Sequence, residues 1–356
     1  MSMKTEKLDD LVVSIISELQ QYDKSIDKEF ESTKEIVKEY ALQMDNLTNI
    51  GEKAIWKQKI LKQIGLKPEN YEVRISLPKL PLNLLFLMSI GIKDLSSVVG
   101  RCPSLIARDY RTCLQPNYIQ MQDEIGLTQG DLVKIITKHP RLVTAPPDDI
   151  KEHRVYLQNL KFSKKQMRKA VKSVPNVLMY NIESQMQPRV NYVRSFSLDS
   201  IETAIVLSEC ASIFGYAMIR ADTEFGLEIP KVEMYLKFLK KLKPPDIEMN
   251  DKELLLKKPG LINLNIEYNL EPTADYLTSA YRASNQDIWN NLNILGLSLK
   301  KRLKPRYEFL KSRGREKDYR IARILNPSDK IFCSILGCSV SKYQEFKEKY
   351  IMEQKF

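Results

Sequence analysis

The sequence LNILGLSLKKRLKPRYEFLKSR, residues Leu292–Arg313, decides the fold because the same pattern occurs earlier in the chain. The segment PNVLMYNIESQMQPRVNYVRS, residues Pro175–Ser195, lies 117 positions upstream, and its apolar residues fall in the same register. Both copies contain a Pro-Arg pair, at Pro188 and at Pro305, with an aromatic residue four positions after the proline. A pattern that recurs in one register is typical of a helical-repeat protein.

The spacing of the prolines describes one repeat. Thirteen residues separate the two ends of the pattern, in the pairs Pro103/Pro116, Pro175/Pro188, Pro259/Pro272 and Leu292/Pro305. The first proline ends an amphipathic helix, because the residue before a proline disfavours the α conformation. A short turn with two buried apolar residues follows, and we expect it to be 3₁₀. The second proline fits the first turn of the next helix.

Each repeat is therefore predicted to be a helix, a tight turn and a second helix. One such unit cannot bury its own apolar face, so the sequence predicts an all-α solenoid of stacked repeats. We expect helices to start at Pro116, Pro188, Pro272 and Pro305. We also expect Leu178, Ile262 and Leu295 to be equivalent buried residues of successive tight turns.

This frame resembles the mitochondrial transcription termination factor (mTERF) family. The resemblance rests on the turns Ile90-Gly91-Ile92 and Ile125-Gly126-Leu127, each followed about a dozen residues later by a proline and apolar residues. It is strongest in SLKKRLKPRYEFL (Ser298–Leu310) and NPSDKIF (Asn326–Phe332), and it covers roughly residues 61–350. The resemblance implies a curved α-solenoid that binds organellar DNA or RNA on a basic concave face.

The repeat pattern divides the chain into three predicted segments. Residues 1–60 are predicted to be an acidic helical extension, which serves either as a partner-docking arm or as a cap on the first repeat. Residues 61–326 are predicted to be the repeat solenoid, and residues 327–356 its capping helices. Ser341 is expected to cap the closing helix, which ends near Glu353. The resemblance implies a mitochondrion, with a plastid as the other organelle, although the acidic N-terminus lacks the arginines of a transit peptide.

The fourth repeat departs from the pattern. Ala211 replaces the first proline, and the next proline, Pro230, follows nineteen residues later instead of thirteen. The six extra residues around Asp222–Gly226 are predicted to form a loop insertion. This insertion is either a hinge between two halves of the array or a neutral surface loop.

The charge of the chain favours a protein that binds a polyanion over a basic protein whose charge only keeps it soluble. The net charge is +11, and residues 1–60 contain nine lysines and twelve acidic residues, so residues 61–356 carry +14. Residues 300–323 contain eleven basic and three acidic residues. Such concentrated positive charge is typical of proteins that bind nucleic acids.

Candidate contacts to nucleic acid come from two basic segments and from prolines at helix starts. The helix after Ser163 is predicted to carry a stripe of cations without an acidic residue, whereas a solvated helix face normally mixes signs. Arg189 and Arg306 follow prolines at helix N-termini, where free N–H groups attract phosphate. The predicted contacts are Arg141, Lys161, Lys164, Lys165, Arg168, Lys172, Arg189, Lys301, Arg302, Arg306 and Arg313.

The sequence contains no signature of an enzyme, and we predict no cofactor and no metal. Its two histidines, His139 and His153, are expected to be structural, and Asp148-Asp149 is expected to cap a helix start. Five scattered cysteines lack the spacing of a zinc site. No stretch is long and apolar enough to predict a membrane partner.

The resemblance also indicates which kind of nucleic acid the chain binds. In DNA-reading members of the family, the residue after the tight-turn proline tends to be an arginine. The equivalent positions here are Ser104, Arg141, Asn176, Ser212, Gly260 and Asn293. Only Arg141 matches, which favours backbone recognition of structured RNA, such as ribosomal RNA or a ribosomal particle.

Two other functions remain open at this point. The first is a transcription factor that terminates or regulates transcription by binding a specific sequence of duplex organellar DNA. The second is a helical scaffold that binds proteins, with the acidic extension as a docking arm. Ribosomal or other organellar gene-expression proteins are the additional partners that the resemblance implies.

Overall fold

The computed structural model describes residues 35, 39, 50–68, 80–220 and 227–354. Most of the predicted extension 1–60 and the predicted loop Asp222–Gly226 therefore lie outside the described residues. The chain forms two compact units, Met1–Ile182 and Glu183–Phe356. The predicted segment limits at residues 60 and 326 stay predictions.

The described residues form a helical-repeat protein, as predicted. In the N-terminal unit the α-helices are α1 (Ile50–Gln63), α2 (Leu80–Ser89), α3 (Leu95–Arg101), α4 (Ser104–Ala107), α5 (Gln115–Ile119), α6 (Gln129–Lys138), α7 (Arg141–Thr144), α8 (Pro147–Asn159) and α9 (Lys164–Ser173). In the C-terminal unit they are α10 (Gln187–Arg194), α11 (Ser200–Glu209), α12 (Pro230–Leu242), α13 (Asp251–Lys257), α14 (Glu271–Ser279), α15 (Asn285–Trp289), α16 (Lys304–Lys311), α17 (Ile321–Leu325), α18 (Asp329–Leu336) and α19 (Val340–Glu353). No helix among the described residues has the length and apolar character needed to cross a membrane.

The first helix of each repeat begins at a capping side chain. Thr128 and Asp131 form a reciprocal capping box at α6, and Ser163 and Gln166 form another at α9, as the sequence predicts. Equivalent boxes begin the first helices of the next three repeats, α11, α13 and α15. These side chains satisfy N–H groups that have no partner within the helix, so the sequence fixes where each repeat starts.

The tight turns take the predicted form in the later repeats. They are 3₁₀ at Pro175–Leu178, Ala211–Gly215, Pro259–Asn263 and Leu292–Gly296. In the first two repeats a single α-helical turn, α4 or α7, takes this place. Leu178, Ile262 and Leu295 are buried, which confirms their equivalence in the core.

The prolines that were expected to start helices lie in the first turn of an α-helix, but each of these helices continues from a π turn. Pro116, Pro188, Pro272 and Pro305 occupy the second position of α5, α10, α14 and α16, and a π turn precedes each of these helices. These π turns are Tyr110–Leu114, Ile182–Met186, Ile266–Leu270 and Leu299–Leu303, and another, Gln120–Glu124, follows α5. A proline has no N–H and its ring clashes with the carbonyl four residues back, so the wider turn accommodates it within a continuous helix.

The fourth repeat contains a short hairpin at the predicted insertion. Strand β1 (Ile219–Arg220) pairs antiparallel with β2 (Leu227–Glu228), and Ile219 lies opposite Glu228. The chain re-enters the repeat at Pro230, the first residue of α12. The insertion therefore lies between the tight turn and the second helix of this repeat.

The C-terminal helices pack through aromatic rings. Tyr343 of α19 lies between Phe309 of α16 and Phe332 of α18, with ring centroids 5.1 and 5.0 Å away. The cap of α19 is Ser339, whose hydroxyl accepts the N–H of Lys342. The prediction of Ser341 was wrong by two residues, because the helix already begins at Val340.

In most of the described repeats, a polar side chain of the second helix binds the end of the following tight turn. In the N-terminal unit, the amide of Asn83 donates to the carbonyls of Leu105 and Arg108, and Asn117 donates to those of Val143 and Ala145. We call this contact the inter-repeat latch. The backbone becomes extended at Arg108 and Ala145. The carbonyls of these two residues therefore point away from the helix and accept no N–H from it.

The latch continues along the chain with other donors. His153 places Nε2 2.6 Å from the carbonyl of Tyr180. In the C-terminal unit, Arg189 donates through Nε and Nη2 to the carbonyl of Tyr216. Arg306 donates to the carbonyls of Ile324, Leu325 and Pro327. Asn117, Arg189 and Arg306 each follow the proline of the second helix, so one sequence position performs the same task in three repeats.

Replacing Asn117 by alanine tests the latch. The change leaves the carbonyls of Val143 and Ala145 with only the weak thiol donor of Cys113, so we expect it to lower the free energy of unfolding by roughly 1–3 kcal/mol. Urea unfolding measures the loss, and amide hydrogen exchange should accelerate first at Leu142–Ala145. The control is Asn159→Ala, at an exposed position of α8, which should change stability by less than about 0.5 kcal/mol. Equal effects of the two changes would contradict the latch.

Candidate nucleic-acid interface

The basic stripe of α9 contacts the preceding repeat. Lys164 donates from Nζ to the carbonyl of Asp123 at 2.5 Å, at the end of the preceding helical segment. Its stem crosses Gly126, where an added Cβ would lie 2.8 Å from Lys164 Cε. Gly126 also has a φ of +83°, which favours glycine. The ammonium of Lys164 therefore caps a helix end.

Asp131 supplies the acid that the stripe was expected to lack. Its carboxylate pairs with Lys172 at 2.7 Å and with Arg168 at 2.9 Å. Hydrogen bonds from Lys172, and then from Thr128 and Arg168, hold the pKa of Asp131 well below its usual range, although burial opposes them. The expectation of an unpaired stripe was wrong because the acid belongs to the previous repeat, 37 residues before Arg168.

Two cations of this segment remain available to a ligand. Lys161 and Lys165 are exposed, and neither has an ion-pair partner within the part of the chain that the structure describes. Lys161 adopts a left-handed conformation with a φ of +67° just after α8. As nucleic-acid contacts, both stay predictions.

In the C-terminal unit, most of the predicted arginines are bound by the protein itself. Arg189 and Arg306 form latches, and the Arg306 side chain is fully buried. Arg302 donates to the carbonyls of Asn326 and Pro327, and Arg313 stacks on Phe309 at 4.6 Å. Lys301 is exposed. Of these five residues, Lys301 is the one that is exposed, whereas the other four are half-buried or buried.

Arg306 also forms the most buried ion pair of the described residues. Its Nη2 lies 2.7 Å from the carboxylate of Asp329, and its guanidinium stacks on Phe332 at 4.5 Å. Burial alone would raise the pKa of Asp329, but hydrogen bonds from Arg306 and Lys347 lower it to about 2. Arg306 therefore stabilises the C-terminal helices, and it has no surface to offer a phosphate.

Arg141 borders an open cavity of about 450 Å³ in the N-terminal unit. This cavity lies over the tight turns of the second and third repeats, and its lining includes Arg101, Lys138, Arg141, Asn176, Met179 and Tyr180. A second cavity of about 310 Å³, over the first tight turn, shares Arg101 and Arg141 with the first. No carboxylate is among the described residues that line either cavity. The two cavities together present a basic surface, which we call the Arg101–Arg141 trough.

The first cavity lies where a contact between tight turns is missing. In three other repeats, the residue after the tight-turn proline position binds a polar residue of the next turn. These contacts join Ser104 to Thr144, Ser212 to Asn263, and Asn293 to Asn326. In the same register Arg141 faces the position of Met179, whose thioether is only a weak acceptor. The guanidinium of Arg141 therefore stays exposed.

Arg101 and Lys138 are functional candidates that the sequence reasoning missed. Each lies two residues before a tight-turn proline, Pro103 or Pro140, so aligning the repeats would have shown the shared position. Arg101 donates to the carbonyls of Ser97 and Thr137, which fixes its guanidinium at the ends of α3 and α6. Lys138 is exposed at the last turn of α6.

His139 and the acidic pair lie at helix ends, as expected, whereas His153 lies inside α8. His139 follows α6 as its C-cap residue, and its side chain lines the trough. His153 forms a latch, and Asp148 and Asp149 lie in the first turn of α8. Among the described residues, no three His, Cys, Asp or Glu side chains are grouped so that they could hold a metal ion.

The family model described as mTERF matches residues 2–209 and 232–333, which is most of the chain and includes the trough. The gap in the match contains the hairpin of the fourth repeat. No curated protein matches the chain.

The Asp131 ion pairs predict a difference in stability that depends on pH. The pKa of Asp131 is lowered on folding, so its contribution is present above its unfolded pKa of about 3.9 and is lost as the pH falls further. Asp131→Asn should therefore have a lower free energy of unfolding than the wild type at pH 7. This gap in stability should shrink below about pH 4. Urea unfolding at several pH values measures the gap. Asp123→Asn, which removes an exposed carboxylate, is the control and should show no comparable gap. A gap that stays constant down to about pH 2.5 would contradict this role.

Proposed function

The chain belongs to the mTERF family, and from that premise we propose that it is a non-enzymatic nucleic-acid-binding protein of organellar gene expression. It binds structured RNA, such as ribosomal RNA or a ribosomal particle, through its phosphate backbone. The site is the Arg101–Arg141 trough, with Lys161 and Lys165 as further contacts. The mitochondrion is the proposed compartment, and a plastid is the alternative.

The observation that carries this proposal is the composition of the trough. Three cationic side chains, Arg101, Lys138 and Arg141, border it without a carboxylate among the lining residues. Other basic residues of this unit are neutralised by the protein, as Asp131 neutralises Arg168 and Lys172. Cations that no carboxylate neutralises gain free energy when they replace the counterions of a phosphate backbone.

The residues after the tight-turn prolines favour RNA over a specific DNA sequence. Ser104, Ser212 and Asn293 are engaged by neighbouring turns, and Gly260 has no side chain. Reading bases in a DNA major groove needs donors along several repeats, and bidentate arginines are the commonest. Recognition of the backbone and of RNA shape needs fewer such residues.

Arg141 supports a second candidate, the sequence-specific binding of duplex DNA. It occupies the position where DNA-reading relatives carry arginine, and it is exposed. One such arginine can distinguish one guanine, at about 1–3 kcal/mol. Discrimination of more than a thousandfold between unrelated duplexes would favour this candidate.

The proposal predicts that nucleic acid binds more weakly when the salt concentration rises and when cations of the trough are removed. The double variant Lys138→Ala/Arg141→Ala should bind a structured RNA more weakly, with a log–log salt slope shallower by about 0.7–0.9 for each phosphate that it no longer neutralises. Fluorescence anisotropy over a salt series measures both quantities. The matched control is Lys151→Ala, which removes an exposed lysine of α8 outside the trough.

Two outcomes would count against the trough as a nucleic-acid site. If the wild-type protein binds RNA and DNA no better than an uncharged polymer, the scaffold function takes its place. If binding is strong but the double variant and the control behave alike, the cations that bind nucleic acid lie elsewhere. Circular dichroism confirms that the variants remain folded.

A further inference from the structure

We infer that the cavity over the second and third tight turns holds one unpaired nucleotide. Its phosphate lies against Arg141 and Lys138, and its base lies against Met179 and Asn176. The inference rests on the proposed function, and it specifies which part of the nucleic acid the cavity binds. It follows from the shape, the apolar surface and the polar groups of this cavity.

The cavity has the size of a small-molecule site. Its volume of about 450 Å³ falls within the range of roughly 300–1,000 Å³ that such sites occupy. It exists because no side chain of the third turn reaches Arg141, whereas Thr144 reaches Ser104 in the turn before. A ligand can therefore enter between these two turns.

Met179 gives the cavity an apolar surface that the other tight turns lack. The residues at its repeat position are small or polar: Ala107, Thr144, Gly215, Asn263 and Gly296. Met179 is 42% exposed, although it belongs to a turn whose other apolar residues, Val177 and Leu178, are fully buried. A thioether packs well on aromatic rings, and every base has such a ring.

Polar groups at the same place complete a nucleotide site. Asn176 is exposed and carries an amide donor and acceptor, which match the edge of a base. Arg141 and Lys138 provide the charge for the adjoining phosphate. A base inside a duplex is stacked on both faces and paired at its edge, so only an unpaired nucleotide can use these groups together.

The test compares two RNA probes that differ by one nucleotide. One is a blunt duplex, and the other is the same duplex with a single bulged adenosine; the DNA equivalents form a second pair. The wild-type protein should bind the bulged RNA about two- to tenfold more tightly, as expected when a thioether packs on one aromatic ring. Fluorescence anisotropy at one salt concentration measures both affinities.

Two variants locate the preference. Met179→Ala and Asn176→Ala should each reduce the preference for the bulge and leave binding to the blunt duplex nearly unchanged. Met234→Ala is the matched control, because Met234 is similarly exposed, at 45%, but lies on α12 of the other unit. A bulge also bends a duplex, and a preference for the bent shape alone would persist in both variants. That result would overturn the inference.

The outcomes separate this inference from the proposed function. Equal binding of blunt and bulged probes overturns the nucleotide site and leaves the proposed function standing. Absence of binding to every probe overturns both. A preference for the bulge in RNA alone supports the site and identifies RNA as the source of the nucleotide. A preference in both RNA and DNA supports a site that recognises the base and phosphate independently of the sugar.

Discussion

The structure depends on a donor from the second helix of most described repeats, which binds the carbonyls at the end of the next tight turn. A tight turn leaves its last carbonyls pointing out of the helix, and burying them unpaired would be costly. Asn83 and Asn117 satisfy two of these turns in the N-terminal unit, and Arg189 and Arg306 satisfy two in the other. The contact thus joins neighbouring repeats through hydrogen bonds in addition to apolar packing.

This constraint decides which basic residues a ligand can reach. An arginine after the proline of a second helix lies against the next repeat, so Arg189 and Arg306 are part of the scaffold although the sequence suggests phosphate contacts. A cation near the tight-turn proline lies instead at the surface of the turns, as Arg101, Lys138 and Arg141 do. Position within the repeat therefore says more about function than local charge density does.

The sequence predicted the fold because the repeat is periodic and its signals are local. Capping side chains, proline positions and the buried residues Leu178, Ile262 and Leu295 could all be identified without knowing which repeats touch. The site was harder to predict because its chemistry depends on contacts between repeats. The pairing of Asp131 with Arg168, and the position of Met179 beside Arg141, join residues 37 and 38 positions apart. The shared position of Asn117, Arg189 and Arg306 was visible in the sequence, but the partner carbonyls were not.

Ultraviolet crosslinking of the protein to its bound nucleic acid in cells, followed by mass spectrometry of the crosslinked peptides, tests the central claim most directly. The measurement identifies the peptide and the nucleotide together and needs no prior choice of probe. The account predicts RNA crosslinks on peptides between Arg101 and Tyr180, with Met179 and Tyr180 among the modified residues. Crosslinks confined to Glu183–Phe356, or a complete absence of crosslinked nucleotides, would contradict it.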